Sequence, residues 1–404
     1  MSLLRPFCAL RPPAAIAARV ASPPYDVINT AEARRLAGDD PVSFLHVSRP
    51  EIDLPEGVDE HSDAVYAQGA VSLARLIAEG SLVADARPSL YLYRQVMGDH
   101  AQVGVVGCVS VAEYDGDLIR KHERTRADNE DDRARHIDAL DAHDEPVFLA
   151  YRADAAIDAA VREATRAAPV YDFTSADGVQ HALWVLSEGD AEALSARFRE
   201  VPALYVADGH HRSAAASRLH AARGSAPGEH DVFLAVVFPH DQLQILPYNR
   251  VVRDRAGRSP EEILAALRAR FDVTPGSATV PESPGVFHAF VGGAWHRLAV
   301  RAGSFDPSDP VASLDAQLCQ DLLLAPVFGI TDPRKDPDVD FVGGVRGLGA
   351  LEARVRDEGW SLAIALHPTR MSDVLAVSDA GRIMPPKSTW FEPKLRSGLF
   401  VHRL

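Results

Sequence analysis

Residues 201–212 read VPALYVADGHHR and continue as SAAASRLHAAR to position 223. The first seven are apolar and β-prone, whereas the residues after the turn are rich in Ala, Leu and Arg. The chain therefore passes from strand to helix at Asp208-Gly209-His210-His211-Arg212, with Gly209 marking the turn. The first N–H groups of such a helix lack intrahelical partners and lie at the positive end of its dipole, which suits an anion. Arg212 adds a planar fork for phosphate oxygens, and His210 and His211 add further donors. The motif reads as a phosphate cradle; the simpler alternative is Asp208 capping the helix, with the His and Arg side chains in water. Outward from this stretch, strands and helices alternate, giving a mixed α/β (α+β) class.

The chain has 404 residues, enough for two or more domains, with 47% hydrophobic and 25% charged residues. Lys plus Arg number 42 against 57 Asp plus Glu, a net charge of −15. An acidic surface repels a polyphosphate backbone, so nucleic-acid binding is disfavoured and any anion site must be a local basic pocket. No apolar run reaches membrane-spanning length, and Arg5 and Pro6 stand where a signal sequence would be apolar. A cytoplasmic protein without membrane contact is expected. Cys8, Cys108 and Cys319 are too scattered for a disulfide framework or a zinc knuckle.

Pro23-Pro24 forces an extended path into Tyr25 and Asp26, a structural corner. A helix capped by Thr30 is expected next, then a strand in SFLHVSRPE ending at Pro50, an acidic loop, and an amphipathic helix from about 64 to 79. LYLYRQV (90–96) and QVGVVGCVSVAEY (102–114) form a hairpin across Gly98-Asp99-His100. Arg120-Lys121-His122-Glu123-Arg124-Thr125-Arg126 then places four fixed positive charges in an acidic chain. It reads either as a solvated turn or as a pocket wall with Glu123 as base beside phosphate-binding cations. A charged helix, NEDDRARHIDALDAH, and a strand, PVFLAYRA, follow; HALWVLSE is a further strand, and FLAVVF (233–238) is a fully buried one.

A soft domain boundary is placed near 250, dividing a 1–250 core from a 251–404 α/β domain. In the latter, PEEILAALRARF reads as a helix, GVFHAFVGGAWHRLAVR as a hairpin, and SLDAQLCQDLLLAPVF as a helix capped by Ser313. FVGGVRGLGAL (341–351) lacks the Gly-Lys-Ser/Thr ending of a P-loop and reads as a turn before a helix. Near the end, Pro385-Pro386 hold Lys387-Ser388-Thr389 rigid; a Lys with two hydroxyls suits phosphate without being a Walker motif.

RPF, SPPYDVI, the HERT segment, ADGHHR and MPPKSTWFEPKL together resemble the prokaryotic family known as domain of unknown function 1015. More distantly, the chain is similar to the free-serine kinases of the ParB/sulfiredoxin superfamily. Those carry, in order, a His-Glu pair, a DGHHR and a Pro-Lys-Thr-Thr segment; here the order is His122-Glu123, Asp208 to Arg212, and Pro386-Lys387-Ser388-Thr389. The likeness implies a ParB/sulfiredoxin-like N-terminal core with an additional C-terminal α/β domain. It implies that Glu123 is the general base, that Asp208, Gly209, His210, His211 and Arg212 lie at the nucleotide phosphates, and that Lys387, Ser388 and Thr389 help hold phosphate and substrate. His122, Thr125 and Arg126 would support them, and no protein metal ligand is implied. Ser388 replaces a Thr but keeps the hydroxyl, and a long insertion separates Glu123 from Asp208. Sulfiredoxin-like proteins have Gly-Cys-His-Arg at the turn and need the Cys as nucleophile; His210 stands there instead. ParB-like clamps have Gly-Glu-Arg-Arg and an added helix-turn-helix, at odds with this acidic chain.

The implied activity is phosphoryl transfer from ATP or ADP, with Mg²⁺ held mainly by the nucleotide, to the hydroxyl of a free amino acid, L-serine being favoured. A nucleotide-binding regulator without transfer is the alternative. A metal-dependent phosphohydrolase using Asp208, His210 and His211 is disfavoured, because adjacent histidines diverge by about a hundred degrees around a helix. The oligomeric state stays open, a homodimer being one option.

Overall fold

The computed structural model of the chain describes residues 4–224 and 226–404. They form two compact units, one of residues 1–243 with 393–404 and one of residues 244–392. The chain changes unit seven residues before the boundary expected at 250, and the last twelve residues, expected in the second domain, belong to the first unit. The class is mixed α/β.

The first unit is organised on a sheet of eight strands among the described residues. Its order is 119–120, 204–208, 147–151, 232–239, 100–110, 91–97, 180–185 and 171–174. FLAVVF lies within Val232–Pro239, buried at every position, antiparallel to His100–Ser110 and parallel to Val147–Tyr151. A strand covered on both faces has no solvent side, so its sequence reads as one apolar run. Gly104 lets its neighbour approach: a Cβ there would lie 2.5 Å from Val236 Cγ1. The Leu204–Asp208 strand is antiparallel to Val147–Tyr151 and parallel to Ile119–Arg120. That parallel pairing sets where the two motifs leave the sheet. Two parallel strands deliver their following residues to the same edge of the sheet, so the HERT segment and the DGHHR turn emerge together, where α/β sheets place ligands.

Several local expectations are corrected. SFLHVSRPE is not a strand; it forms a short helix, Leu45–Ser48, and a 3₁₀ turn, Pro50–Asp53, that starts with its proline. Leu45 packs with Ala33 and Ala37, while Val47 packs with Leu73 and Leu76; burial on two sides overrides β propensity. Helix Thr30–Ala37 is capped by Asn29, not Thr30, in a reciprocal box with Glu32. The hairpin strand stops at Ser110, which caps a short helix, Val111–Asp115. The expected long helix is present as Asp63–Ala78.

The larger sheet of the second unit has six antiparallel strands among the described residues, in the order 271–275, 294–300, 286–291, 362–365, 248–252 and 339–343. Gly292 and Gly293, both at positive φ (61° and 81°), make the two-residue turn of the expected hairpin. SLDAQLCQDLLLAPVF is not one regular helix. It runs α over Asp315–Cys319, π over Gln320–Leu324 and α over Ala325–Phe328, and its cap position is Leu314 without a side-chain bond, not Ser313. Pro326 accounts for the wide turn, since it has no N–H for the carbonyl four residues back.

All three cysteines are free, and among the described residues no helix is long and apolar enough to cross a membrane. Two buried histidines of the first unit, His143 and His181, contribute to its acid response. Burial, reinforced by His402 for His143 and by Arg396 for His181, holds each pKa down at about 3. His181 is kept neutral by accepting from Arg396 Nε at 3.3 Å. The unfolded chain gains those protons near the ordinary histidine pKa of about 6.5, so stability is present above that value and lost as pH falls towards 3. Each group should contribute a loss of about 1.4 kcal/mol per pH unit. Urea midpoints should therefore fall from pH 7 to pH 5; unchanged midpoints would contradict neutral burial.

Candidate active site

The DGHHR turn is built as its sequence suggests. The Leu204–Asp208 strand ends in a register shift between Val206 and Asp208. Gly209 takes left-handed φ 89°, ψ 30°, and the helix His210–Arg223 begins at once with no side chain capping it. Asp208 is not the cap. Its Oδ1 accepts from Gly209 N–H at 2.9 Å and its Oδ2 from Lys394 Nζ at 2.8 Å. Burial works to raise the Asp208 carboxyl, yet Lys394 and Arg212 hold it well below the usual carboxylate range. No side chain caps the helix N-terminus, which lies beside buried cationic and imidazole groups.

Arg212 is buried and donates through Nη1 to Pro146 O at 2.5 Å, with Glu145 Oε2 at 3.9 Å. Its Nε has no hydrogen-bond partner, and neither does Glu145 Oε2. Burial opposes the guanidinium charge, but Asp26, Glu145 and Asp208 together hold its pKa above the ordinary arginine value. Glu145 itself is pushed up by burial, against the pull of Arg212. Its Oε1 accepts from Tyr25 N–H at 3.1 Å and Ser397 Oγ at 2.8 Å, and Arg133 lies 4.0 Å over the Tyr25 ring. The Pro23-Pro24 corner therefore supports the site from behind. A side chain at Gly209 would place its Cβ 3.0 Å from Arg212 Nε, so the glycine serves close approach as well as backbone angle.

The HERT segment reaches the turn. Glu123 Oε2 lies 4.0 Å from His210 Nδ1, and the His122 and His210 rings meet edge to face at 4.5 Å. Burial drives both histidines neutral, His122 to about 3 with His210 adding to the fall, and His210 to about 4 against the pull of Asp208. Both ring nitrogens of His122 and Nε2 of His210 lack hydrogen-bond partners, while Glu123 is half-exposed. One donor atom from each of His122, Glu123 and His210 falls within 4.8 Å of the others. His211 instead accepts from Arg126 N–H at 3.2 Å, so Arg126 reaches the turn through its backbone while its side chain pairs with Asp128. Thr125 donates to Glu130 at the start of the Ala127–Leu140 helix and so shapes the segment. The set Asp208, His210 and His211 is not assembled for metal: each of the three faces a different partner.

Lys387, Ser388 and Thr389 belong to the second unit. Lys387 has positive φ (57°) with Nζ 5.5 Å from the Tyr248 ring centroid. Ser388 is buried and donates to Pro385 O at 2.7 Å, a bond that braces its own loop.

Residues 4–317 match the model of a family described as a protein of unknown function (DUF1015). The chain belongs to that family. No functionally curated protein matches this DUF1015 chain. Solved structures similar to it include a conserved hypothetical protein from Pyrococcus furiosus, at 11% identity over 74% of this chain and 95% of that one, with TM-score 0.37. A free serine kinase variant in complex with ADP is 12% identical over 71% and 87%, with TM-score 0.37. SbnI with a C-terminal truncation, from Staphylococcus aureus, is 13% identical over 74% and 87%, with TM-score 0.36. Likeness at this level assigns no role to any residue.

Sequence reasoning missed Lys394 and Glu145. Lys394 lies in the WFEPKL ending, but nothing in its spacing points to a carboxylate 186 residues earlier. Glu145 follows Asp144 at the head of an apolar strand, where an acid looks like a boundary marker. Lys394→Met should destabilise the fold by about 1–3 kcal/mol, since the ion pair is only partly buried. Adding Asp208→Asn should recover part of that loss in denaturant unfolding; strictly additive losses would show that the pair is not coupled.

Proposed function

We propose that the chain is a nucleotide-dependent small-molecule kinase that transfers a phosphoryl group from ATP or ADP to the hydroxyl of a free amino acid, L-serine being the favoured acceptor. One observation carries the reading: an uncapped helix N-terminus at left-handed Gly209, with buried Arg212 beneath it and Glu123 4.0 Å from His210. The transfer chemistry rests on first-unit residues alone. Backbone N–H groups of residues 210–212 and the Arg212 guanidinium would receive phosphate oxygens. His210, kept neutral, would donate one N–H without adding a second full charge. Glu123 would take the acceptor's proton as its oxygen forms the new O–P bond, while the bond from phosphorus to the nucleotide's oxygen breaks and that oxygen keeps the electron pair.

Mg²⁺ prefers an all-oxygen shell, and Glu123 beside two imidazoles is a poor cage for it. The nucleotide's phosphates would therefore carry the ion, which neutralises charge there when bound. Lys394, engaged with Asp208, would hold the strand end in place and fix the angle at which Gly209 opens. The unsatisfied Nε of Arg212 is a donor that the fold leaves available at this position.

A second reading is favoured by the His122, Glu123 and His210 donors, which suit Zn²⁺ or Mn²⁺ better than Mg²⁺. It is a metal-dependent phosphohydrolase with this set in place of Asp208, His210 and His211.

The test is incubation of the purified chain with Mg²⁺, L-serine and either ATP or ADP, with detection of O-phosphoserine. Product formation is expected. Nucleotide binding without product from either donor would reject serine kinase activity and leave a regulator. Phosphate release from a phosphomonoester that requires Zn²⁺ or Mn²⁺ and disappears in His122→Ala would favour the hydrolase.

A further inference from the structure

In the second unit, Arg250 occupies the strand Tyr248–Val252, paired with Phe341 on one side and Ile364 on the other. It is 3% exposed. Its guanidinium donates to the carbonyls of Tyr248, Lys387 (3.0 Å) and Pro386 (3.5 Å) and lies 5.1 Å over the Phe341 ring. All of these partners are neutral. The carboxylate that acts on it, Asp315, spends its oxygens on Gly285 N–H at 2.7 Å and His367 N–H at 3.3 Å. A buried cation whose hydrogen bonds go to carbonyls, and whose nearby carboxylate is engaged by backbone N–H groups, keeps much of its charge without a direct ion-pair partner among the described residues, which interiors tolerate poorly.

The same arginine lines a cavity of about 220 Å³. Gln320, from the π turn, lines it too, with a buried Oε1 that has no partner, while its Nε2 donates to Ile330 O at 2.8 Å. Gln317 and the exposed Arg334 complete a polar side. Asp332 is also at the cavity, its Oδ1 accepting from Arg334 N–H at 3.1 Å. A second cation, one carboxylate, two amides and Phe341 thus line the cavity together with the buried guanidinium. π turns recur at functional sites because the extra residue re-aims side chains.

We propose that this cavity is a binding site for a small anion bearing a carboxylate or phosphate group, with Arg250 as its charge partner and Gln320 and Arg334 as its walls. The cavity has room for a metabolite-sized molecule but not for a chain. The guanidinium N–H groups not spent on the three backbone carbonyls suit either carboxylate or phosphate oxygens. Gln320 Oε1, an acceptor, suits a ligand that also carries a hydroxyl or amine. The site lies wholly within the second unit and does not depend on the chemistry proposed for the first.

Isothermal titration of the full chain with inorganic phosphate and, separately, with malate, a dicarboxylate that carries a hydroxyl, tests the proposal. Saturable binding of at least one anion is expected, weakened about tenfold in Arg334→Glu and in Gln320→Leu and lost in Arg250→Met. The two anions distinguish a phosphate ligand from a carboxylate one. Arg334 is exposed, so that variant keeps the test sound if Arg250→Met does not fold. No saturable binding of either anion, or binding that Arg334→Glu and Gln320→Leu leave unchanged, overturns the proposal; the latter result would place the anion elsewhere on the chain.

Discussion

Glu123→Gln should lower phosphoryl transfer by about 10²–10⁴-fold while nucleotide affinity changes less than about threefold. The substitution keeps the shape of the side chain and removes the group that accepts a proton. Because Glu123 is half-exposed and touches the turn only through the 4.0 Å approach to His210, the fold should not suffer. Single-turnover transfer with bound nucleotide separates the chemical step from binding. A loss of affinity matching the loss of rate would instead make Glu123 a binding residue, and an unchanged rate would remove it from the mechanism.

Arg212→Met should cost about 3–5 kcal/mol of stability and abolish measurable nucleotide binding. Arg212 is buried, with Asp26, Glu145 and Asp208 all acting on it, and its removal leaves those acids without their shared cation. The cost should fall by a third or more in Arg212→Met/Glu145→Gln, because the most deeply buried of the three is then neutral. Nucleotide binding should not return with stability, since the fork that meets phosphate is still missing. Recovery of binding in the double variant would mean that Arg212 acts only as a structural counter-ion.

The sequence was most informative where local and long-range forces agree. At DGHHR the β-prone run, the glycine and the Ala-rich helix point the same way, and strand, left-handed Gly209 and helix all lie where expected. FLAVVF and the Gly292-Gly293 hairpin were legible for the same reason. SFLHVSRPE was misread because its β-prone residues are buried on two sides by Ala33, Ala37, Leu73 and Leu76, contacts that local propensity does not contain. The break at Gln320–Leu324 follows from Pro326, but the helical period around it concealed the consequence. Within the candidate site, the order of the motifs pointed to Glu123 and Asp208 to Arg212, and what the structure adds is that Glu123 comes within 4.0 Å of His210, a meeting that depends on the parallel pairing of Ile119–Arg120 with Leu204–Tyr205. Lys394 and Glu145 were not legible, since their partners are set by how the chain returns at residues 393–404.

The central claim is that phosphate binds at the open helix end formed by Gly209 to Arg212. It is tested most directly by titrating ADP into ¹⁵N-labelled full-length chain and following backbone amide resonances. Saturable shifts concentrated at residues 209–212 and at Glu123 are predicted, with the second-unit amides moving far less. Saturable binding that leaves residues 209–212 unmoved, or no binding at millimolar ADP, would contradict the account.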